Sequence, residues 1–495
     1  MTKLRGGWMF GLSCTLLLFA AIARPLNAQT FTTLVSFDGT DGAEPTYGYL
    51  AQGVDGNLYG TTLYGGGTGG SFCSVIGCGT VFKVTPDGVL TTIYLFCSQP
   101  NCTDGGSPQA GLIQSTDGNL YGTTYGGGAN RLGTVFKITP TGILTTIYSF
   151  CSQTNCTDGT SPYAEVVLGI DGNFYGTTFY GGANKDQCFD GCGTVFKLTP
   201  KGTFTTLYSF CSQAGCTDGQ YPVAGLVQGA DLNLYGVTLY GGSADSSGTL
   251  FKITPSGTLT TLYTFCTQFV GNLCIDGAAP TSSLVQAKNG SLYGTTRGGG
   301  TQGQGTVFKI TPQGTLTTLH SFSGTEGEYP EAGLVQATDG GLYGTTSAGG
   351  GSTRSGTIFK ITIAGHLTTL HRFDNSDGAF PYAGMIQYTD GSLYGTTIGG
   401  GANNGSGTVY SFSVGLGPFV ETLPGLRKVG GHILILGNNL TGSTAVTFNG
   451  TAATFTIVSN TEIKASVPAG ATTGFLTVTT PNAILTSNKP FRVIP

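Results

Sequence analysis

Hydrophobic and polar positions alternate along most of this chain in short runs that recur in a fixed order. Ala110-Gly-Leu-Ile-Gln114 is apolar, Asp117-Gly118 interrupts it, and Leu120-Tyr-Gly-Thr-Thr124 follows. After Gly126-Gly-Gly128 come Thr134-Val-Phe-Lys-Ile-Thr139, Pro140-Thr-Gly142 and Leu144-Thr-Thr-Ile-Tyr-Ser-Phe150. Period-two alternation marks half-buried strands. Asp-Gly tolerates the positive φ of a tight hairpin, and Pro-x-Gly presets the angles of another turn. Each unit therefore predicts four strands. The unit occurs seven times, with its central tyrosine at Tyr59, Tyr121, Tyr175, Tyr235, Tyr293, Tyr343 and Tyr394, spaced by 50 (Tyr293 to Tyr343) to 62 residues (Tyr59 to Tyr121). Asp55, Asp171, Asn289, Asp339 and Asp390 stand where Asp117 does. Asp231-Leu232 lacks the Gly and predicts a slightly different turn.

Four strands in about 50 residues is the size of a propeller blade, and the competing architecture is an open solenoid with polar caps. The two ends of the repeat region favour the propeller. Phe31-Thr-Thr-Leu-Val-Ser-Phe37 reads as a fourth strand with no unit before it, and Gly407 to Ser413 as a third strand with no fourth after it. Pairing residues 31–37 with 407–414 would close the ring and remove two open sheet edges. The expected fold is thus all-β, a seven-bladed β-propeller over 29–414 closed by the N-terminal strand. After Gly415 the period stops, and residues 419–495 hold short alternating strands suited to an immunoglobulin-like β-sandwich. Fourth-to-first and second-to-third connections then share one face, and the hairpins the other. The hairpins are nearly constant, whereas the opposite face carries the length variation expected of a binding surface.

The only helical pattern is at the extreme N-terminus, where Lys3, Arg5 and the apolar run Trp8–Ala23 read as a secretory signal ending at Ala28, or at Ala23. An uncleaved anchor is the competing reading, although the run is short for a membrane span. Removing residues 1–28 takes three of the 21 basic residues and leaves 18 against 25 acidic ones. An acidic exported chain without basic clusters argues against nucleic acid and anionic membranes. Twelve of the 13 cysteines remain, in six close pairs. Cys73 neighbours Cys78, Cys97 neighbours Cys102, and Cys151 neighbours Cys156. Cys188 likewise neighbours Cys192, Cys211 neighbours Cys216, and Cys266 neighbours Cys274. Even count, local pairing and export favour disulfides. Zinc is the alternative, and would need two pairs to converge.

The most regular polar feature is an acid before Gly in every fourth-to-first loop: Asp41, Asp104, Asp158, Asp218, Asp276, Glu326 and Asp377. Gathered at a channel mouth, such carboxylates suit Ca²⁺; otherwise each hydrogen-bonds its own turn. No other cofactor is implied. Lys83, Lys137, Lys197, Lys252, Lys309 and Lys360 fall mid-strand as solvated or cross-strand partners, a basic groove being the alternative, and His320 and His371 replace Tyr in fourth strands without a metal pattern. No Gly-x-Ser-x-Gly element or free Cys offers a nucleophile. The least repetitive carboxylates on the variable face, Glu165, Glu328 and Glu331, are the catalytic suspects should the chain be a glycosidase or lyase.

The recurring Leu-Tyr-Gly-Thr-Thr…Gly-Thr-Val-Phe-Lys pattern resembles the GloVer tandem repeat of bacterial "choice-of-anchor" surface proteins, over about residues 31–414. That resemblance implies export and no established enzymatic activity, and it supplies no catalytic residues. The tail resembles IPT/TIG immunoglobulin-like domains through Gly430-Gly431, Ile435-Leu-Gly437, Val446-Thr-Phe448 and Val467-Pro-Ala-Gly470. It implies a spacer or interaction module. The expected function is a secreted, cell-surface or periplasmic protein without catalysis, whose disulfide-bearing face engages a glycan or a surface protein. An extracellular polysaccharide-processing enzyme is the alternative. It would need non-repeated acids clustered in one deep pocket.

Overall fold

The computed structural model describes residues 29–494, apart from Thr46, 68–72, 74–76, 243–246 and 403–404. The expected signal segment, residues 1–28, lies outside the described residues.

Each repeat folds as an antiparallel four-stranded sheet, as in Ile113–Gln114, Leu120–Thr124, Thr134–Ile138 and Leu144–Ser149. The first hairpin follows from one carboxylate. Asp117 accepts hydrogen bonds from the Asn119 backbone (3.1 Å) and side chain (2.8 Å) and from the Tyr121 hydroxyl (2.9 Å), while Gly118 takes φ +81°. The Asp231-Leu232 turn does not differ as expected. It keeps the same three bonds, with Leu232 itself held at φ +69°. Gly122 of the second strand faces Phe136 across the ladder, and a Cβ there would lie 2.7 Å from that ring. Glycine in a strand here makes room for a buried aromatic. The buried hydroxyls of Thr124 and Thr134 bond each other at 2.8 Å, which ties the second-to-third loop shut.

Among the described residues seven such propeller-like sheets recur, the one in the first repeat gaining an extra short strand at Ala43–Pro45. The strand Thr30–Ser36 pairs with Thr408–Ser413 of the last repeat, and Phe31 stacks on His371 at 4.0 Å. The apolar core lies between neighbouring sheets. One buried cluster joins Leu50, Leu58, Phe82 and Val84 of the first repeat to Tyr394 and Val409 of the last.

The C-terminal domain packs two four-stranded sheets around Val420, Ile433, Ile435, Val446, Phe448, Leu476 and Phe491. It sits on the hairpin face of the repeats. Thr461 donates to the Val54 carbonyl (2.7 Å), Asn438 to Thr389 (2.8 Å), and Arg492 to the Ala230 carbonyl. Lys288 stands over the Phe475 ring at 5.7 Å. First hairpins of repeats 1, 4, 5 and 7 are thereby engaged.

Candidate functional site

Ahead of each first strand runs a Pro-x-Ala-Gly-Leu segment, seen unaltered at Pro108–Leu112, Pro222–Leu226 and Pro330–Leu334 and ending in Met at Pro381–Met385. Each of these segments leads directly into the short edge strand of its sheet. The Gly column is occupied by Gly111, Gly225, Gly333 and Gly384, but by Tyr49, Glu165 and Ser283 in the other three repeats. The glycines are small because the exceptions are large. A Cβ on Gly333 would meet the Tyr49 hydroxyl at 1.8 Å, one on Gly384 a Tyr49 ring carbon at 2.1 Å, and one on Gly225 the Glu165 Oε1 at 2.4 Å. Tyr49 therefore reaches the segments of the sixth and seventh repeats, and Glu165 that of the fourth.

They form the floor of a cavity of about 200 Å³ to which all seven repeats contribute. Its wall is aromatic on one side. Tyr47 lies 5.7 Å from Tyr163 and 5.1 Å from Tyr382 (ring centroids), and Phe179 continues from Tyr163 at 5.8 Å. Tyr47 remains 37% exposed, so this aromatic wall reaches solvent. Within reach of these tyrosines Glu331 accepts a hydrogen bond from Arg297 Nε at 3.1 Å. Burial raises the Glu331 carboxyl, and Arg297 opposes that shift. Deeper in, Glu165 is half-buried as a residue, but its carboxyl lies beside Gly225 and accepts from Ser283 Oγ at 3.2 Å. Burial holds it above the ordinary value of 4.5, against the lowering effect of its hydrogen bonds. Burial likewise pushes the Tyr49 phenol far up, and Glu165 adds to the shift.

Of the three sequence suspects, Glu165 and Glu331 line this cavity. Glu328 does not: it is buried beside the loops and pairs with Arg354. The seven loop acids are each held locally. Asp104, Asp158, Asp218 and Asp276 accept from the fourth-strand hydroxyls of Tyr94 (2.9 Å), Tyr148 (2.7 Å), Tyr208 (2.7 Å) and Tyr263 (2.8 Å). His320 and His371 take that tyrosine role towards Glu326 (3.2 Å) and Asp377 (2.8 Å), a pairing with carboxylates that the sequence reading missed. Asp41 accepts from the Asp38 backbone instead (3.0 Å), Val35 standing where the tyrosine would be. Among the described residues none of these acids joins a group of three potential metal ligands.

All six cysteine pairs are disulfide-bonded. Cys73 is joined to Cys78, Cys97 to Cys102, and Cys151 to Cys156. Cys188 is joined to Cys192, Cys211 to Cys216, and Cys266 to Cys274. In the three pairs of the Cys-x-x-x-x-Cys loops that follow fourth strands, the second cysteine also begins the turn to the loop acid. The backbone N–H groups of Gly105, Gly159 and Gly219 donate to the carbonyls of Cys102, Cys156 and Cys216, and that of Gly277 donates to Cys274 in the same way. These bridges therefore brace the loops that hold Asp104, Asp158, Asp218 and Asp276. In two places pairs converge, with Cys97 beside the Cys73–Cys78 bond and Cys211 beside Cys188–Cys192, the sulfurs within 4.8 Å of one another. Lys197 and Lys360 reach Asp171 and Asp339 (2.8 and 2.7 Å) on the neighbouring strand side and stand over Tyr175 and Tyr343. Tyr49, Ser283, Arg297 and the aromatic wall were not singled out in the sequence. Aligning the repeats on their Gly column exposes the first two as breaks in the pattern.

The family model for the Gloeobacter/Verrucomicrobia repeat matches residues 68–275 and 267–452, well over half of the chain. The chain belongs to that family. An IPT/TIG domain matches residues 426–493 of this Gloeobacter/Verrucomicrobia repeat protein. No curated protein matches it significantly. Solved structures similar to the repeat protein include a provisionally assigned gluconolactonase (16% identity, 71% of this chain and 97% of that one, TM-score 0.35). Others are a provisionally assigned 6-phosphogluconolactonase from Bacteroides fragilis (19%, 65% and 82%, 0.40) and a protein from Lactobacillus plantarum (17%, 66% and 84%, 0.40). At that level of superposition they carry no argument about activity. Repeat and IPT/TIG domain together suggest a surface or binding protein. Its disulfides are consistent with an extracellular or periplasmic setting, and among the described residues no helix is long and apolar enough to cross a membrane.

Proposed function

We propose that this chain is an exported binding protein, a seven-bladed closed propeller over 29–414 with its IPT/TIG domain over 419–495, that engages an extracellular glycan or surface protein through the axial cavity. The pairing of Thr30–Ser36 with Thr408–Ser413 supports closure, and the disulfides support export. One observation carries the assignment of the site: Tyr49, Glu165 and Ser283 break the Gly column and meet in one place. A purely structural repeat has no need of such exceptions, whereas a single ligand needs a site that differs around the axis. The test is retention on an array of extracellular polysaccharides and surface proteins, with fragments scored in the same wells and with or without Ca²⁺. Retention that Tyr47→Ala abolishes supports the axial site; retention that survives it refutes that site. Ca²⁺-dependent retention would instead bring the seven loop acids forward as ligands.

A catalytic reading has one specific observation in its favour: two non-repeated carboxylates, Glu165 and Glu331, share the cavity. Released fragments that vanish in both Glu165→Gln and Glu331→Gln would establish it in place of simple binding.

A further inference from the structure

Glu165 sets the chemistry of the cavity. Its carboxyl accepts one side-chain hydrogen bond, from Ser283, and among the described residues no Lys or Arg forms an ion pair with it. Glu331 is already matched by Arg297, so the cavity carries one uncompensated negative charge whenever Glu165 ionises. A buried charge is disfavoured unless paired. A neutral sugar can donate hydrogen bonds to Glu165 and leave its charge unbalanced, and an anion would add to the imbalance.

The walls narrow the class further. Tyr47, Tyr163, Tyr382 and Phe179 present a continuous aromatic lining in the same cavity as the Glu165 carboxyl. Aromatic faces are electron-rich and attract cations, most effectively where water is displaced, and several rings sharing a cavity with an acid suit an ammonium carried on carbon. Tyr49 and Ser283 complete the floor with hydroxyls.

We propose that the axial cavity seats an alkylammonium group of the ligand, with Glu165 as its counter-ion and Tyr47, Tyr163 and Tyr382 as its walls. This rests on the reading of the cavity as the ligand site. Two sources share that chemistry: a quaternary ammonium of the choline type and the primary ammonium of a deacetylated amino sugar.

The test is calorimetric titration of the oxidised mature protein with choline, glucosamine and N-acetylglucosamine, the last being the neutral counterpart of the second. The expected result is binding of choline or glucosamine at least ten-fold tighter than N-acetylglucosamine, which needs no variant. Preference for choline identifies a methylated ammonium, and preference for glucosamine an amino sugar. Glu165→Gln, with its fold checked by thermal unfolding, is expected to weaken the cation at least ten-fold. N-Acetylglucosamine binding as well as glucosamine, neither cation binding, or full affinity in Glu165→Gln each overturn the proposal. A polysaccharide retained on the array and released by Tyr47→Ala would, in that event, still uphold the cavity as the ligand site.

Discussion

The Ser283 hydroxyl donates to the Glu165 carboxyl at 3.2 Å, joining residues 118 positions apart across the space between the third and fifth repeats. Both occupy a column that is glycine in four repeats. The contact ties two sheets that share no edge, and it does so with a group whose charge is disfavoured by burial.

That cost has a sign. The folded Glu165 carboxyl titrates above 4.5, so its contribution to stability is full below the unfolded value and is lost as pH rises through the folded one. Glu165→Gln does not titrate. Thermal unfolding across pH 4 to 8 should therefore show the variant gaining on the wild type as pH rises. A constant gap between the two would remove the carboxyl from its enclosed position.

Gly333→Ala drives a methyl to 1.8 Å from the Tyr49 hydroxyl. Overpacking of this kind costs about 1–3 kcal/mol. Urea unfolding should register the loss, and Tyr49→Ala in the same background should recover part of it. Independent, additive effects would show that the two residues do not meet.

Leu232 holds φ +69° where the other first hairpins use Gly at residues 56, 118, 172, 290, 340 and 391. Leu232→Gly should stabilise the protein by about 0.5–1 kcal/mol, the relief of left-handed strain less the entropy of a freer unfolded chain. Chemical denaturation of the two proteins decides it, and a destabilised variant would mean that the leucine side chain packs more than it strains.

Glu326 behaves oppositely to Glu165. Burial alone would raise it, but hydrogen bonds from Ser323, Thr325 and His320 draw it down to about 2. Its stabilisation is present above the ordinary value of 4.5 and is lost as pH falls towards 2. Glu326→Gln should consequently flatten acid unfolding between those limits, as followed by circular dichroism. An unchanged acid limb would assign the loss to other carboxylates.

Disulfides and zinc separate cleanly at the converged pairs, where Cys97–Cys102 approaches Cys73–Cys78 and Cys211–Cys216 approaches Cys188–Cys192. The oxidised mature protein, unfolded without reductant, should expose no titratable thiol and yield no zinc to a chelator. Thiols released by chelation would instead make each convergence a metal site.

Much of the fold was legible because a repeat writes its local rules seven times. Asp117-Gly118 and Pro140-Thr-Gly142 specify turns through their own backbone angles, and the unpaired runs at 31–37 and 407–413 pointed to each other. Leu232 was misread because the carboxylate of Asp231, Asn233 and Tyr235 hold the turn even without Gly. The cavity was only half legible. Glu165 and Glu331 stood out as unrepeated acids, yet Glu328 looked equivalent to them and is spent on Arg354. Tyr49 was invisible for another reason. An aromatic in an aromatic-rich chain carries no signal until the glycines opposite it are seen to make room.

The IPT/TIG domain rests on the hairpins around the end of the repeats remote from the disulfides, through Thr461, Asn438 and Arg492. Under the proposed binding role, Tyr49 and Glu165 stand in the way of a polymer threaded past them, so a terminus or a side branch is the part that would enter, and chain-end concentration, rather than mass of polymer, should govern how much is bound.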